Sequence, residues 1–486
     1  MSTKKVYELR REGKKEEAYN YALNLYQQDS SDDDIKKALS WTLIDKIKLF
    51  IESGNIQQAN TFLLQLYQLS FEYIDDFVES IKTQIISLIY RIFPQVREAS
   101  DLSKSGQHSQ ALNIMQSMIA TNQLSELHHE SYGWIIYRYI KAEECNLSSV
   151  EVRTFFRDYM NLKNERPSML HSMILNFALN YSKTHSDFKF YNFFLLWNPE
   201  YLRKGDWEET TNGENTYKPL AIKALKKAFT VLKTQTSEQD LSWLIKPYET
   251  AIELFPDDEW LLREKALLHF KNNELELAIK IYKQLVLELA NKHYVWKEFS
   301  DCIISNNSLK IGMLSKALSL EKNEDFLGDI HLDLAKALID ENLLENALVE
   351  LEAYKKHREI KGWKLSSLFD ELHKKASLVK QSLKDNRELY KKYIPFAENF
   401  AYADFDWTEL VLVDKWKDDK GKDRLTFTDG KTIEFAIGKN RFEVLKQSEL
   451  GQILKFKLHK QEIKKEVENR FSWFGKNVIT EYKHIL

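Results

Sequence analysis

The residues best suited to chemistry lie near the end of the 486-residue chain, where basic and aromatic side chains are interleaved. Between Lys415 and Lys460, twelve Lys and Arg residues stand against seven Asp and Glu, a local excess of +5 in a chain of formal net charge −3. Cationic side chains neutralise phosphates and aromatic rings stack on bases, so this composition predicts contact with single-stranded RNA or DNA. The predicted contact residues are Lys415, Trp416, Lys417, Lys420, Phe427, Phe435, Lys439 and Arg441. A small β-domain with an aromatic core and solvated lysines would have the same composition, so both interpretations stay open.

A second group of candidate residues lies in the middle of the chain, where aromatic residues are dense between positions 188 and 207. The candidate partner-binding residues are Trp197, Arg203, Asp206 and Trp207. Aromatic rings beside a pair of opposite charges are typical of pockets that bind a ligand or a protein. The alternative is that these rings fill a core between two blocks of helices.

The sequence carries no recognisable catalytic or metal-binding pattern. It has no Gly-rich phosphate loop, no His-Glu-x-x-His and no Cys-x-x-Cys. The adjacent His128 and His129 would point apart on a helix, and the cysteines Cys145 and Cys302 form no disulfide framework and suit a reducing cytosol. The N-terminus has no apolar leader, and the longest apolar run is far short of the ~20 residues that cross a membrane. We therefore expect a cytoplasmic, non-enzymatic protein without cofactor, metal or membrane contact.

The elements that must position the candidate residues are mostly helices. A turn signature recurs five times: Gly or Asn, then Ala five residues on, then an apolar or small residue four further on. The copies are Gly13/Ala18/Ala22, Gly54/Ala59/Leu63, Gly106/Ala111/Met115, Asn273/Ala278/Tyr282 and Asn342/Ala347/Leu351. Gly or Asn supplies a left-handed residue between two helices, and Ala lets the helices approach closely. Helix pairs of this kind bury their apolar faces against neighbouring pairs, so the signature predicts a stacked array.

Four segments follow from these patterns. Residues 1–130 and 231–393 are predicted helical repeats, the second block closed by a capping helix over 365–393, and residues 131–230 are an aromatic-rich helical insert. After Pro395 the apolar period changes from 3.6 to 2, which predicts a β-domain with a C-terminal tail over 394–486. The predicted strands are 408–416, 424–428, 432–437 and 452–459, with a hairpin turn at Asp429-Gly430. The expected fold is mainly α, a right-handed helical-repeat solenoid with a small C-terminal all-β barrel of OB type.

Two resemblances extend this interpretation. The turn signature resembles the tetratricopeptide repeat, a helix–turn–helix unit of about 34 residues. Lys415-Trp416 before Lys420-Gly421, followed by Leu450-Gly451-Gln452, resembles the opening and closing strands of a cold-shock domain. The strands that stack bases in that family are replaced here by Arg424-Leu-Thr-Phe427 and by the segment from Thr432 to Phe435.

The whole layout is similar to the repeat proteins with a C-terminal cold-shock-like domain of bacterial TOTE-type conflict systems. The resemblance implies an adaptor in anti-phage defence, in which the solenoid groove holds a protein partner and the barrel contacts single-stranded RNA or DNA. The alternative is a pure protein–protein interaction scaffold in which the barrel is a docking module. Salt dependence of binding distinguishes the two, because phosphate contacts weaken as salt rises.

Overall fold

The computed structural model describes residues 2–121, 123–213, 215–232, 241–256, 258–380, 382–463 and 479–484. The chain divides into two compact units, residues 1–236 and 237–486. The first unit contains both the predicted N-terminal repeats and the predicted insert. The second contains the remaining repeats and the C-terminal sheet.

The described part of the first unit is helical except for one short antiparallel β-hairpin. Its helices are α1 Thr3–Arg11, α2 Lys15–Gln28, α3 Asp33–Glu52, α4 Ile56–Tyr67, α5 Asp76–Ile92, α6 Pro94–Lys104, α7 His108–Ala120, α8 His129–Ala142, α9 Ser149–Asn161, α10 Met169–Thr184, α11 Phe190–Trp197 and α12 Leu220–Leu232. The hairpin consists of β1 Thr210–Asn212 and β2 Asn215–Tyr217. Short 3-10 turns at Pro199–Tyr201 and Lys204–Trp207 connect α11 to this hairpin.

The second unit continues the helix pairs and ends in a sheet. Its helices are α13 Ser242–Leu254, α14 Glu259–Lys271, α15 Leu275–Leu289, α16 His293–Asp301, α17 Asn307–Leu320, α18 Gly328–Asp340, α19 Leu344–Lys361, α20 Ser367–Ala376 and α21 Arg387–Ala401. Its strands are β3 Trp407–Lys417, β4 Asp423–Thr428, β5 Glu434–Gly438, β6 Ile453–Ile463 and β7 Ile479–His484.

All five predicted turns are present, and they share one backbone geometry. Gly13, Gly54, Gly106, Asn273 and Asn342 have φ of 77, 76, 88, 61 and 58°. The next residue donates its N–H to a carbonyl five positions back, as in Lys14 to Leu9 (3.0 Å) and Leu343 to Leu338 (2.8 Å). This is the hydrogen bond of a Schellman helix end, which requires the left-handed residue. Every alanine of the signature is fully buried, so the predicted helix pairs α1/α2, α3/α4, α6/α7, α14/α15 and α18/α19 are confirmed.

The predicted capping helix is two helices, and the predicted boundary at residue 394 falls inside the second of them. Helix α21 runs through Pro395 to Ala401, although an interior proline removes one backbone hydrogen bond. The helix packs on α17, where a Cβ at Gly312 would lie 2.4 Å from the carbonyl oxygen of Tyr393. Close packing against α17 therefore outweighs the local cost of the proline, and the change of period at Pro395 does not end the helical part.

The C-terminal strands form a curled antiparallel sheet in the order β5-β4-β3-β6-β7. β3 has two partners, since residues 407–411 pair with β6 and residues 411–417 pair with β4, with a register shift at Val413. The core beneath the sheet contains Leu410, Leu412, Leu425, Phe427, Phe435, Ile437, Leu445 and Phe456. Within the part of the chain that the structure describes, no strand ladder joins β5 to β7, so the sheet is a half-barrel rather than the closed barrel expected. The sequence reasoning did not predict β7.

Candidate interaction sites

Trp416 reaches the outer face of the sheet because β3 carries a bulge. Side chains alternate along a strand, so an unbroken β3 would place Trp416 on the same face as Leu410 and Leu412, which are fully buried. The register shift at Val413 reverses that alternation, as bulges do, and the Trp416 side chain is 42% exposed. Its indole Nε1 donates to Thr426 Oγ1 (3.0 Å), which holds the ring against the outer face of β4.

Most of the predicted basic residues lie near Trp416, at the turn that joins β3 to β4. Lys417 and Lys420 are exposed in and beside this turn. Lys439 follows β5, and its backbone N–H donates to Asp423 O (3.0 Å), which brings the end of β5 to the same place. Arg441 is two residues further on and exposed. The structure therefore brings these four cations to one end of the sheet, together with Trp416.

Several polar groups at this end of the sheet already have partners within the chain. Asp418 accepts hydrogen bonds from the backbone N–H of Lys422 and Lys420 and from Arg424 Nε (3.0 Å). Backbone hydrogen bonds, that of Lys422 above all, lower the pKa of the Asp418 carboxyl, so this turn holds a carboxylate. Lys415 Nζ donates to the carbonyl oxygen of Ser448 (2.6 Å), so the predicted contact residue Lys415 also fixes the loop before β6.

Phe427 and Phe435 lie in the core and not on the outer face. They are paired across β4 and β5, with ring centroids 6.1 Å apart and both rings buried. The alternation of Leu425, Thr426 and Phe427 puts the two apolar side chains inward and the threonine outward. A base cannot reach either ring while the sheet is intact, which corrects their predicted role. Of the three predicted stacking residues, Trp416 is the exposed one.

The predicted partner-binding residue Trp197 is buried in the first unit. Its ring stacks on His171 with 4.2 Å between centroids, and its Nε1 donates to the carbonyl oxygen of His171 (3.0 Å). His171 Nε2 lies 3.1 Å from the Trp197 carbonyl oxygen, and Nδ1 lies 3.1 Å from Tyr159 Oη. Burial lowers the pKa of His171 to about 4, so the ring is neutral at pH 7 and can donate to the carbonyl while accepting from the tyrosine.

Two of the other three residues of that predicted site, Arg203 and Asp206, are held together with Ser172 of α10. Asp206 is buried, accepts from Ser172 Oγ (2.6 Å) and pairs with Arg203 (3.1 Å). Arg203 Nε also donates to Ser172 Oγ (2.8 Å). Arg203 and Trp207 are partly exposed. The arrangement fastens the 3-10 turns after α11 to helix α10, and a partner could contact only its partly exposed edge.

Sequence reasoning missed a row of aromatic side chains on the second unit, which we call the aromatic row: Trp260, Tyr294, His293 and Phe326. The rings of Trp260 and Tyr294 stack with centroids 5.8 Å apart, and His293 stacks on Phe326 at 6.0 Å. Trp260 is 44% exposed and Phe326 is 60% exposed. The row crosses the N-terminal ends of α14, α16 and α18. The signal in the sequence is the spacing of 34 residues between Trp260 and Tyr294, one repeat length.

Cationic side chains recur at the same repeat spacing behind the aromatic row. Arg263, Lys297 and His331 follow one another at intervals of 34 residues on α14, α16 and α18. The Arg263 guanidinium lies over Trp260 (4.8 Å) and Tyr294 (4.6 Å), and its Nε donates to Glu298 on the next repeat (2.7 Å). Lys297 pairs with Asp301 on its own helix and with Asp333 on α18. These ion pairs connect successive repeats.

A cavity of about 270 Å³ lies next to Phe326, between the start of α18 and the end of α19. Its walls include Phe326, Tyr354 and Trp363, with Asp329 and Arg358 among the polar groups. Arg358 packs over the Trp363 ring at 5.2 Å and donates to the carbonyl oxygen of Lys364. The cavity therefore extends the aromatic row toward Trp363.

Behind this cavity, a buried carboxylate joins three helices. His331 Nδ1 lies 2.6 Å from Glu350 Oε2, while Asn386 Nδ2 (2.5 Å) and Tyr390 Oη (2.6 Å) donate to the other oxygen. Burial alone would lower the pKa of His331, but its hydrogen bonds to Glu324 and Glu350 outweigh burial and raise the pKa to about 9. His331 is therefore charged at pH 7, and Glu350 fastens α21 to α18 and α19.

Two further kinds of chemistry concern the described residues, metal binding and the reactivity of the buried Cys302 thiol. Among them, no group of three or more His, Cys, Asp and Glu side chains is arranged to hold a metal ion. Burial raises the pKa of the Cys302 thiol to about 12, so it is not a thiolate at pH 7. Across the described ranges, every helix is too short or too polar to span a bilayer.

Comparison with known proteins gives one family model, described as a domain of unknown function (DUF7017), which matches residues 259–397. That span runs from the first residue of α14 into α21 and contains the aromatic row, the cavity and the Glu350 network, but not the sheet. No curated protein matches the chain.

Solved structures with some similarity include three at low identity. A structure of Naa15/Naa10 bound to HypK-THB has 14% identity and a TM-score of 0.27, covering 82% of this chain and 65% of that one. The P58(IPK) TPR domain has 13% identity and a TM-score of 0.21, and the match covers 77% of this chain and 96% of that domain. A human IFIT1 dimer with PPP-AAAA has 13% identity and a TM-score of 0.28, and the match covers 82% of this chain and 84% of the IFIT1 chain. This chain thus spans less than two-thirds of the Naa15/Naa10 chain, and its repeat architecture rests on its own helix pairs.

Proposed function

We propose that this protein is a non-enzymatic, cytoplasmic scaffold whose helical repeats bind a protein partner. The observation that carries the proposal is the aromatic row, which exposes Trp260 and Phe326 across three successive helix pairs. Exposed aromatic residues are enriched in the centres of protein interfaces, where a few of them supply most of the binding energy. A helical-repeat protein can present such residues along a surface because each repeat adds one equivalent position.

The test is capture of partners from the native host by the tagged full-length chain, with identification by mass spectrometry. We expect one or a few proteins to be retained after nuclease treatment. A matched control carries Ala278→Arg, which places a charge at a fully buried position between α14 and α15 and disrupts the repeat. If wild type and this variant retain the same proteins, or if neither retains any, the scaffold proposal fails.

We propose a second function for the sheet, which is to bind single-stranded RNA or DNA at Trp416. The specific observation is that the bulge exposes this ring at the end of the sheet to which the turn and strand ends also bring Lys417, Lys420, Lys439 and Arg441. Stacking of one base on an aromatic ring is worth roughly 1–3 kcal/mol, and each phosphate contact adds a salt-dependent contribution. The resemblance to conflict-system repeat proteins suggests anti-phage defence as the setting. If the sheet binds no nucleic acid, the pure protein-interaction scaffold is the alternative.

Fluorescence anisotropy of the full-length chain with labelled single strands tests this second function. The whole chain is needed because Lys457 Nζ is buried against the Tyr402 carbonyl oxygen (2.6 Å), which ties the sheet to the end of α21. Trp416→Ala should weaken binding about 5- to 150-fold, the equivalent of one stacked base. Trp407→Ala is the matched control, since Trp407 is also exposed (51% against 42% for Trp416) but lies at the other end of β3. Equal losses in both variants, or no binding at low salt, would refute the assignment.

A further inference from the structure

The cavity next to Phe326 has the size of a small-molecule site. Its volume is about 270 Å³, and sites for drug-sized ligands begin at about 300 Å³, so it suits a molecule of metabolite size. Its aromatic walls are Phe326, Tyr354 and Trp363. Small-molecule sites combine such walls with a few polar groups that fix the orientation of the ligand. The polar groups of this cavity therefore decide what it can hold.

Most of the charged side chains that line the cavity are already paired within the chain. The titratable lining residues are Glu324, Asp325, Asp329, His331, His357 and Arg358. Charged His331 lies between two glutamates, one of which also lines the cavity. Asp325 Oδ1 lies 2.9 Å from Lys361 Nζ and 3.0 Å from His357 Nε2. The charges of these groups are compensated before any ligand arrives.

The two remaining charges, Asp329 and Arg358, have opposite signs. Neither has an ion-pair partner within the part of the chain that the structure describes. The structure gives Arg358 two N–H bonds, both to the carbonyl oxygen of Lys364, and a guanidinium has five N–H groups. Asp329 is exposed in the first turn of α18. The cavity therefore keeps one carboxylate and part of one guanidinium for a ligand.

Both charges lie around the ring of Tyr354. The guanidinium carbon of Arg358 is 5.6 Å from the centre of that ring. Gly328, the residue before Asp329, approaches the ring from α18, since a Cβ at Gly328 would lie 3.5 Å from Tyr354 Cε2. Because Gly328 has no side chain, the space beside the ring stays open. One small ligand beside Tyr354 can therefore meet a positive and a negative group together.

We infer that this cavity binds a free α-amino acid with an apolar or aromatic side chain. The carboxylate of the ligand pairs with the remaining N–H groups of Arg358, and its ammonium group pairs with Asp329. Its side chain packs on the aromatic walls. A purely basic ligand would meet Arg358 and a purely acidic one would meet Asp329, whereas a zwitterion satisfies both. This site goes beyond the proposed scaffold function, which requires no small ligand.

Ligand-observed NMR titration of the full-length chain tests the inference with three probes that differ in charge. L-phenylalanine carries both charges, 3-phenylpropanoate lacks the ammonium group, and 2-phenylethylamine lacks the carboxylate. We expect L-phenylalanine to bind with a Kd of about 0.1–1 mM, as a ligand of its size allows. Each single-charge probe should bind about tenfold more weakly, because it loses one charge-assisted pair. L-leucine should bind like L-phenylalanine.

Substitutions of the two charges should affect different probes. Arg358→Gln should weaken L-phenylalanine about tenfold and leave 2-phenylethylamine unchanged, because that probe has no carboxylate. Asp329→Asn should weaken L-phenylalanine similarly and leave 3-phenylpropanoate unchanged. Gly328→Leu should weaken all three probes, since its side chain fills the space beside Tyr354.

Lys356→Gln is the matched control, because Lys356 is an exposed cation of the same helix as Arg358 and does not line the cavity. Thermal melts of each variant establish that the fold is kept, so that a loss of binding reports the cavity. The inference is overturned if neither L-phenylalanine nor L-leucine binds, or if all three charge probes bind equally. A loss with Lys356→Gln as large as that with Arg358→Gln would overturn it too.

Discussion

A buried histidine in each unit shows how the surroundings set the charge of the ring, since His171 is neutral and His331 is positively charged. His171 lies between a tyrosine hydroxyl and a backbone carbonyl, and its pKa falls to about 4. His331 is also buried but lies between two glutamates, and its pKa rises to about 9. Burial disfavours the charged ring in both units, and only a carboxylate within hydrogen-bond distance reverses the outcome. The partner, and not the depth of burial, decides the charge.

The largest effect is expected from removing the Glu350 carboxylate, which keeps His331 charged in the second unit. Glu350→Ala leaves charged His331 without its buried partner and leaves Asn386 and Tyr390 without an acceptor. We expect the free energy of unfolding to fall by about 3–5 kcal/mol, as for other broken buried ion pairs. Urea denaturation followed by circular dichroism measures the change. Glu352→Ala on the same helix is the control, since that carboxylate is exposed, and a similar loss there would contradict the explanation.

The two histidines should also give the units opposite pH dependence. The folded pKa of His331 lies above the unfolded value of 6.5, so its stabilisation is complete below pH 6.5 and is lost as pH rises toward 9. The folded pKa of His171 lies below 6.5, so its contribution is present above pH 6.5 and is lost as pH falls toward 4. Each pKa unit corresponds to about 1.4 kcal/mol.

Unfolding curves of wild type, His331→Gln and His171→Gln across this pH range check the prediction. His331→Gln should flatten the alkaline loss, and His171→Gln should flatten the acidic loss. If either variant flattens the opposite limb, the assignment of charge states is wrong.

Each unit has a helix glycine at a close packing contact, and the two glycines should respond differently to alanine. At Gly312 a Cβ would meet the backbone oxygen of Tyr393 at 2.4 Å, and a backbone cannot move aside. At Gly133 it would meet Asn164 Nδ2 at 2.6 Å and Leu170 Cδ2 at 2.9 Å, which are side-chain ends. Gly312→Ala should cost about 1–3 kcal/mol by overpacking. Gly133→Ala should be nearly neutral, since alanine favours the helix by about 1 kcal/mol. Thermal melts that rank the two in the reverse order would refute this.

The smallest effect is expected at the second carboxylate of His331. Glu324 is about half exposed and lies 3.3 Å from His331 Nε2, against 2.6 Å for Glu350. Solvent screens an exposed pair, so Glu324→Gln should cost less than about 1 kcal/mol. A loss as large as that of Glu350→Ala would show that both carboxylates hold the charge equally. The same urea titration measures it.

The parts of the fold that the sequence predicts are those encoded within a few residues. The Gly and Asn turns are local, because one left-handed residue and one small residue specify each helix pair, and all five occur as predicted. The strands β3 to β6 follow from alternation. Alternation does not predict the face on which Trp416 lies, because that face depends on the bulge, and the bulge depends on how β3 pairs with two different strands.

Contacts between residues far apart in sequence account for the other differences. The aromatic row joins rings one repeat apart, and Glu350 meets Tyr390 through the packing of α21 on earlier helices. The repeat spacing of Trp260 and Tyr294 is visible in the sequence, but their stacking and exposure are not. The dense aromatics around Trp197 are compatible with a pocket or with a core, and the fold decides for the core by burying the ring on His171.

Because of the bulge at Val413, the side chains on the outer face of the sheet depend on the number of residues in β3 as well as on their identity. One extra residue in β3 shifts the inward–outward alternation of its side chains. Leu410 and Leu412, before the bulge, face inward, and Trp416, after it, faces outward. Deleting that residue would restore one continuous alternation along β3. The indole of Trp416 would then face the core, and the neighbouring lysines would move to the outer face. A single-codon insertion or deletion can therefore gain or lose the exposed ring in one evolutionary step, while every side chain that takes part remains encoded.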